Sequence, residues 1–135
     1  MTRTDELIED FLAEGPWAVA GASSDRSKFG NMVLRCYLQS AKLPVYPLNP
    51  RAAEVEGVKA YPDLASVPET VRSLSIITPP AITEDLVRDA AEHGVRHVWM
   101  QPGAESDEAV ALCAELGLAA IHGGPCLLVV LGFRG

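Results

Sequence analysis

Gly21-Ala22-Ser23-Ser24-Asp25-Arg26-Ser27-Lys28-Phe29-Gly30-Asn31 follows the apolar run Trp17–Ala20 and precedes an amphipathic segment. A buried strand that breaks into glycine, hydroxyl and basic residues, then opens a helix, is how α/β proteins hold phosphates. Backbone N–H groups converge on the anion there, and the helix N-terminus adds a partial positive charge. Strand, anion-competent loop and helix are therefore the unit from which the rest of the chain is read.

On the N-terminal side, residues 4–14 read as a helix, because Leu7, Ile8, Phe11 and Leu12 share one stripe opposite acidic residues. Gly15-Pro16 ends it, and residues 1–15 form an appendage to a single domain expected over 1–135. On the C-terminal side, a helix over 32–41 leads to a second strand over 43–48 and its exit Asn49-Pro50-Arg51. A short helix over 52–55 closes at Gly57, and 58–61 is a brief third strand. One helical turn between 62 and 68 precedes a fourth strand over 74–78, which Pro79-Pro80 ends. A helix over 83–93 stops at Gly94, and the fifth strand, 95–100, exits through Gln101-Pro102-Gly103. Ser106 caps a helix through Leu116, and 118–121 is a sixth strand. After His122-Gly123-Gly124-Pro125-Cys126, the apolar run Leu127–Leu131 reads as a closing strand.

Continuously apolar strands alternating with helices imply a mainly parallel sheet covered on both faces. Right-handed crossovers then give a doubly wound α/β, Rossmann-like fold, with ligands at the carboxyl ends of the strands. The distinctive loops 21–30, 49–51, 78–80, 101–103 and 122–126 all fall at such ends.

Composition narrows the ligand. The chain has 135 residues, a formal net charge of −7 and only 11 Lys plus Arg, which excludes a nucleic-acid surface. No apolar run approaches the roughly 20 residues of a membrane span, and the polar, acidic start at 1–14 is no secretory signal, so a cytoplasmic protein is expected. Cys36, Cys113 and Cys126 lack the spacing of a disulfide framework or zinc site, and neither His93 nor His97 has a metal-ligating companion at useful spacing. Arg26 and Lys28 place basic charge inside the glycine loop, which suits a small anion.

The loop is neither G-x-G-x-x-G nor a Walker A motif, since Gly21 and Gly30 stand nine residues apart and no G-K-[ST] follows. An NAD site places Asp or Glu at the end of the second strand, whereas this chain has Asn49-Pro50-Arg51. Asn and Arg accept a phosphorylated ribose that a carboxylate would repel, so the residues point to NADP or coenzyme A. Asn49-Pro50 also fits a cap for the segment that follows.

Gly-Ala-Ser-Ser…Lys-Phe-Gly-Asn (21–31), Val-Tyr-Pro…Asn-Pro (45–50), Ala-Tyr-Pro-Asp-Leu (60–64) and the strand end Trp-Met-Gln (99–101) resemble the small stand-alone CoA-binding proteins. These are similar to the N-terminal CoA-binding domain of the succinyl-CoA synthetase α subunit. The resemblance implies coenzyme A, free or acylated, as the ligand. It implies that Gly21, Ala22, Ser23 and Lys28 contact the ADP portion; Arg26 of the same loop is a further cofactor-binding candidate. It places Asn49 and Arg51 near the ribose and its 3′-phosphate, with Pro50 between them as a further cofactor-binding candidate, and Thr78, Pro79 and Pro80 beside the adenine and pyrophosphate. Gln101 and Gly103 would face the pantetheine arm. Cys126 keeps the family's cysteine, but glycine, proline and aliphatic residues replace its polar neighbours.

No catalytic constellation is found. Cys126 and His122 are the nearest to a nucleophile and base, and no cation beside Cys126 is visible to activate the thiol. The expected function is non-catalytic or regulatory CoA binding. Its alternatives are an NADP-dependent oxidoreductase and a CoA-gated docking module. The latter would pair with a second copy or a larger CoA enzyme through residues 127–133.

Overall fold

A computed structural model describes residues 3–135. Helix α1 (Arg3–Ala13) leads into strand β1 (Trp17–Ala20), and α2 (Phe29–Gln39) into β2 (Val45–Leu48). The short strands β3 (Glu54–Val55) and β4 (Val58–Lys59) and a 3-10 turn at Leu64–Ser66 then precede β5 (Ser73–Ile76). Next come α3 (Pro80–Glu92), β6 (His97–Met100), α4 (Asp107–Leu116), β7 (Ala119–Ile121) and α5 (Leu127–Leu131). Five strands pair in parallel in the order β2-β1-β5-β6-β7, the doubly wound, Rossmann-like arrangement.

Residue alternation along β1 divides the core. Ala18 and Ala20 join Leu74, Ile76, Val87, Ala90, Val98 and Met100 in the cluster that includes α3 and α4 residues. Trp17 and Val19 join Phe11, Val33, Tyr37, Trp99 and Leu127 in the cluster that includes residues of α1, α2 and α5. Both faces of the sheet are covered, which is why the strands read as apolar throughout. The two buried serines of β5 are satisfied: Ser73 Oγ donates to Glu14 O at 2.6 Å, and Ser75 Oγ shares a 2.6 Å hydrogen bond with Tyr37 Oη.

Three expectations are corrected. The helix at 52–55 does not form. Asn49 Oδ1 accepts the N–H groups of Arg51 and Ala52, and the following Glu56-Gly57 pair is left-handed (φ 50° and 76°). Two positive φ values in succession fold the chain back into the β3–β4 hairpin. Of the expected strand 58–61, Val58 and Lys59 pair antiparallel with β3, while Tyr61 bridges Leu48 of β2 and meets the Tyr46 ring edge to face at 5.7 Å. The apolar run Leu127–Leu131 is a helix, not a strand. A five-residue apolar run has no period to decide between the two. Here it packs on α2 and ends at Gly132 with φ 71°. Helix α3 also begins three residues earlier than expected, because Pro80 occupies its first turn, where no N–H is needed.

Candidate functional site

The chain leaves β1 toward β2 on one side and reaches β5 on the other, so the crevice beyond β1 and β5 is the topological switch point. Two glycines shape it. Gly21 turns at φ 92°, and a Cβ there would lie 3.2 Å from the Ile77 backbone. A Cβ on Gly30 would lie 1.9 Å from Gly21 O, so the first turn of α2 rests backbone to backbone on the end of β1. Despite their nine-residue separation, these glycines supply the tight turn and the close helix approach of shorter dinucleotide loops.

Four carbonyls of the loop between them are held by donors, three of them from outside the loop. Ala22 O accepts from Asn49 Nδ2 at 2.8 Å, Ser23 O from Asn31 Nδ2 at 2.9 Å, Asp25 O from Lys28 N at 3.0 Å, and Arg26 O from Arg35 Nη2 at 3.3 Å. At the other end, α2 starts without a side-chain cap at Lys28, so its first N–H groups remain available to an anion. Lys28, Arg26 and Arg51 are exposed around this end of the sheet, and Arg26 Nε lies 3.5 Å from Glu56 Oε2. Ser27 donates its N–H and hydroxyl to Asp25, which holds that carboxyl below the usual carboxylate range.

Beside the loop is a mainly apolar cavity of about 310 Å³. Gly21, Ala22, Leu48, Asn49, Pro50 and Thr78 line it on the sheet side, facing Leu64, Ile82 and Leu86, with Asp63 and Asp89 among its polar groups. Its size and character are those of a small-molecule site. Thr78 Oγ1 is 3.0 Å from Thr83 Oγ1, which ties the β5 exit to α3, and Pro79 occupies the cap position before Pro80.

The structure thus brings together Gly21, Ala22, Asn49, Pro50 and Thr78, with the Ser23–Lys28 stretch adjoining. The Asn49 side chain is committed to the Ala22 carbonyl and to two amides, so it braces the loop. Gln101, Gly103 and Cys126 belong to the β6–β7 half of the rim. Gln101 is fully buried, and its Oε1 accepts the N–H of Leu127 at 2.9 Å. Cys126 is half-buried at the start of α5, while Gly103 is exposed at φ 96°. His122 is exposed, and its neighbour Gly123 donates to Glu105 Oε2 at 2.6 Å.

Arg35 and Glu56, which organise the loop with Asn31, and Ile82 and Leu86, which wall the cavity with Leu64, were not identified from sequence; Asn31 and Leu64 stand in the family motifs without an assigned role. Ile82 and Leu86 stand four apart on α3, a spacing that reads equally well as core. His93, expected to lack metal-ligating company, has ligand atoms within 4.8 Å of those of Asp89 and Glu92. Its Nδ1 lies 2.8 Å from Asp89 O and 3.1 Å from Asp89 Oδ1, contacts that raise the imidazole pKa.

The model of the CoA binding domain matches residues 16–132. This chain belongs to that CoA-binding domain family. It is 36% identical over 92 residues to the α subunit of an ADP-forming acetate–CoA ligase II from Pyrococcus furiosus, covering 68% of this chain and 20% of that protein. Among solved structures, a hypothetical protein from Pyrococcus horikoshii superposes with a TM-score of 0.84 at 27% identity, covering 95% of this chain and 89% of that one. The dinucleotide-forming acetyl-coenzyme A synthetase 1 of Candidatus Korarchaeum cryptofilum, in complex with phosphate and ADP, has a TM-score of 0.71 at 31% identity. That match covers 87% of this chain and 27% of the synthetase chain. The chain therefore spans about a fifth of the ligase relative's length. No helix among the described residues is long and apolar enough to cross a membrane.

Proposed function

We propose that this CoA-binding-family domain binds coenzyme A along the carboxyl ends of β1, β2 and β5, as a binding module without chemistry of its own. The observation that carries this reading is the loop with four carbonyls held by donors while the first turn of α2 is left uncapped, beside an apolar cavity of about 310 Å³. A ligand joining phosphates to a flat apolar base satisfies both parts. The base would lie against Leu64, Ile82 and Leu86, and the pyrophosphate at Ser23, Lys28 and the start of α2. Arg51 would supply charge to the ribose 3′-phosphate. The pantetheine arm would then run toward Gly103 and Cys126, with Gln101 bracing α5 beneath it.

Thermal unfolding with CoA, 3′-dephospho-CoA, NADP and NAD at matched concentrations tests the reading. At about 100 times its dissociation constant, a ligand adds roughly 2.7 kcal/mol to the native state. That raises the melting temperature of a chain this size by about 9 °C. Stabilisation by CoA above dephospho-CoA supports the assignment. Stabilisation by NADP alone replaces it with a dinucleotide site, and silence from all four removes it.

A further inference from the structure

The hairpin turn that replaces the expected helix carries a residue whose backbone and side chain are hard to explain separately. Glu56 sits at φ 50° before Gly57, in a two-residue turn that favours Asn, Asp or Gly at its first position. Left-handed backbone is strained for a long side chain, so a glutamate here needs a compensating contact. Its side chain is folded in, with about one-fifth exposed.

What it touches is the underside of the anion loop. Glu56 Oε2 accepts from Asn31 Nδ2 at 3.0 Å and lies 3.5 Å from Arg26 Nε. The same Asn31 amide donates its other proton to Ser23 O, and Asn31 Oδ1 accepts from Arg35 Nε at 2.7 Å. Arg35 in turn donates to Arg26 O. Asn31 is fully buried, so its amide orientation is set by these partners alone. A carboxylate facing the NH2 group requires the carbonyl end of Asn31 to face Arg35. That orientation is the one that places an N–H on Ser23 O.

We propose that Glu56 is a positioning residue for phosphate binding: from a separate hairpin it fixes Asn31 and Arg26, and through Asn31 it sets the polarity of the Ser23–Arg26 loop. Without the carboxylate, Asn31 is held only by Ser23 O and Arg35, and Arg26 loses its ion pair, so the Ser23–Arg26 carbonyls are held less firmly and turn more readily toward the rim. There they would repel a phosphate. The Asn31 amide that holds Ser23 O and the Arg26 guanidinium thus lean on a carboxylate carried by a separate hairpin.

The inference rests on the CoA reading, and its test separates the two. Glu56→Gly removes the carboxylate while relaxing the positive-φ backbone, so the melting temperature should hold or rise as CoA affinity falls about tenfold by calorimetric titration. Amide exchange should quicken at residues 22–28 and stay unchanged in β1 and β5. Glu56→Gln keeps an acceptor for Asn31 but loses the ion pair, and should weaken CoA about threefold. Wild-type binding with equal or tighter binding by Glu56→Gly overturns the proposal and leaves the CoA reading intact. A wild-type chain that does not bind CoA overturns both.

Discussion

The two ends of the same five-stranded sheet use their polar groups in opposite ways. At the amino ends of the strands, several polar groups are paired across elements, although the buried His97 Nδ1 has no partner. Trp17 Nε1 donates to Phe11 O at 3.0 Å, Ser73 Oγ to Glu14 O at 2.6 Å, and Lys42 Nζ to Leu12 O at 3.3 Å. Glu14 holds His97 at 2.7 Å and Arg96 at 3.1 Å. At the carboxyl ends, hydrogen bonds gather carbonyls inward, while an uncapped helix start and the exposed Lys28 and Arg51 are left outward. One end closes α1 onto the domain, and the other leaves an uncapped helix start and exposed cations at the rim. Stability and ligand affinity should therefore separate by end.

Phe11→Ala gives the largest expected effect. Phe11 is fully buried and meets Trp99 edge to face at 5.3 Å. Truncation should cost about 3–5 kcal/mol of stability. The melting temperature should drop by about 10–17 °C. CoA affinity, measured by titration well below the transition, should stay within about twofold of wild type. A large affinity loss in the folded protein would break the separation from the stability side.

Gly30→Ala should strike at both properties, because this residue joins the core to the rim. Its Cβ, 1.9 Å from Gly21 O, must push α2 off the end of β1. Overpacking of this kind costs about 1–3 kcal/mol. The displaced N–H groups should lower CoA affinity by about 100-fold, the scale of a 1 Å misplacement. Titration and thermal melts on the same sample measure both.

Lys28→Ala and Arg51→Ala should act on the ligand alone. Both side chains are exposed, and each loss should weaken CoA by about 1–3 kcal/mol, or about 5- to 150-fold, with little change in melting temperature. Repeating the titration with 3′-dephospho-CoA sharpens the assignment. The Arg51 effect should shrink with the missing phosphate, and the Lys28 effect should persist. Equal losses with both ligands would move Arg51 away from the ribose.

How much of each end was legible in the sequence follows from the range of the interactions involved. The β1 strand, its glycine loop and α2 are local, so the Gly21 turn and the switch-point position could be read from adjacent residues. Ser106 and Gly117 behave as read, with Ser106 Oγ accepting Ala109 N–H and Gly117 closing α4 at φ 77°. Glu56 could not be read, because its partner Asn31 is 25 residues away and only the hairpin brings them together. The 52–55 segment carries a legitimate helix-cap signal at Asn49, and the left-handed pair at 56–57 overrides it. The run Leu127–Leu131 is too short for periodicity, and burial against α2 decides it. The His97–Glu14 pair spans 83 residues and leaves no local trace.

That pair gives the smallest effect and its own pH signature. The hydrogen bond from His97 holds the Glu14 carboxyl below its ordinary value of 4.5, and Arg96 and Arg72 add to the shift against partial desolvation. A carboxyl lowered in the folded state contributes stability that is fully present above its unfolded pKa. That contribution fades as pH falls through the folded value. Glu14→Gln should therefore melt about 2 °C below wild type near pH 7, as befits a partly exposed pair. The two curves should draw together as pH falls through the lowered folded-state value, where the wild-type carboxyl takes up its proton. CoA affinity should not change at any pH in the series, since Glu14 lies at the opposite end of the sheet from the glycine loop. A gap that persists undiminished in acid would assign the Glu14 effect to packing of the α1–β1 connection instead of to its charge.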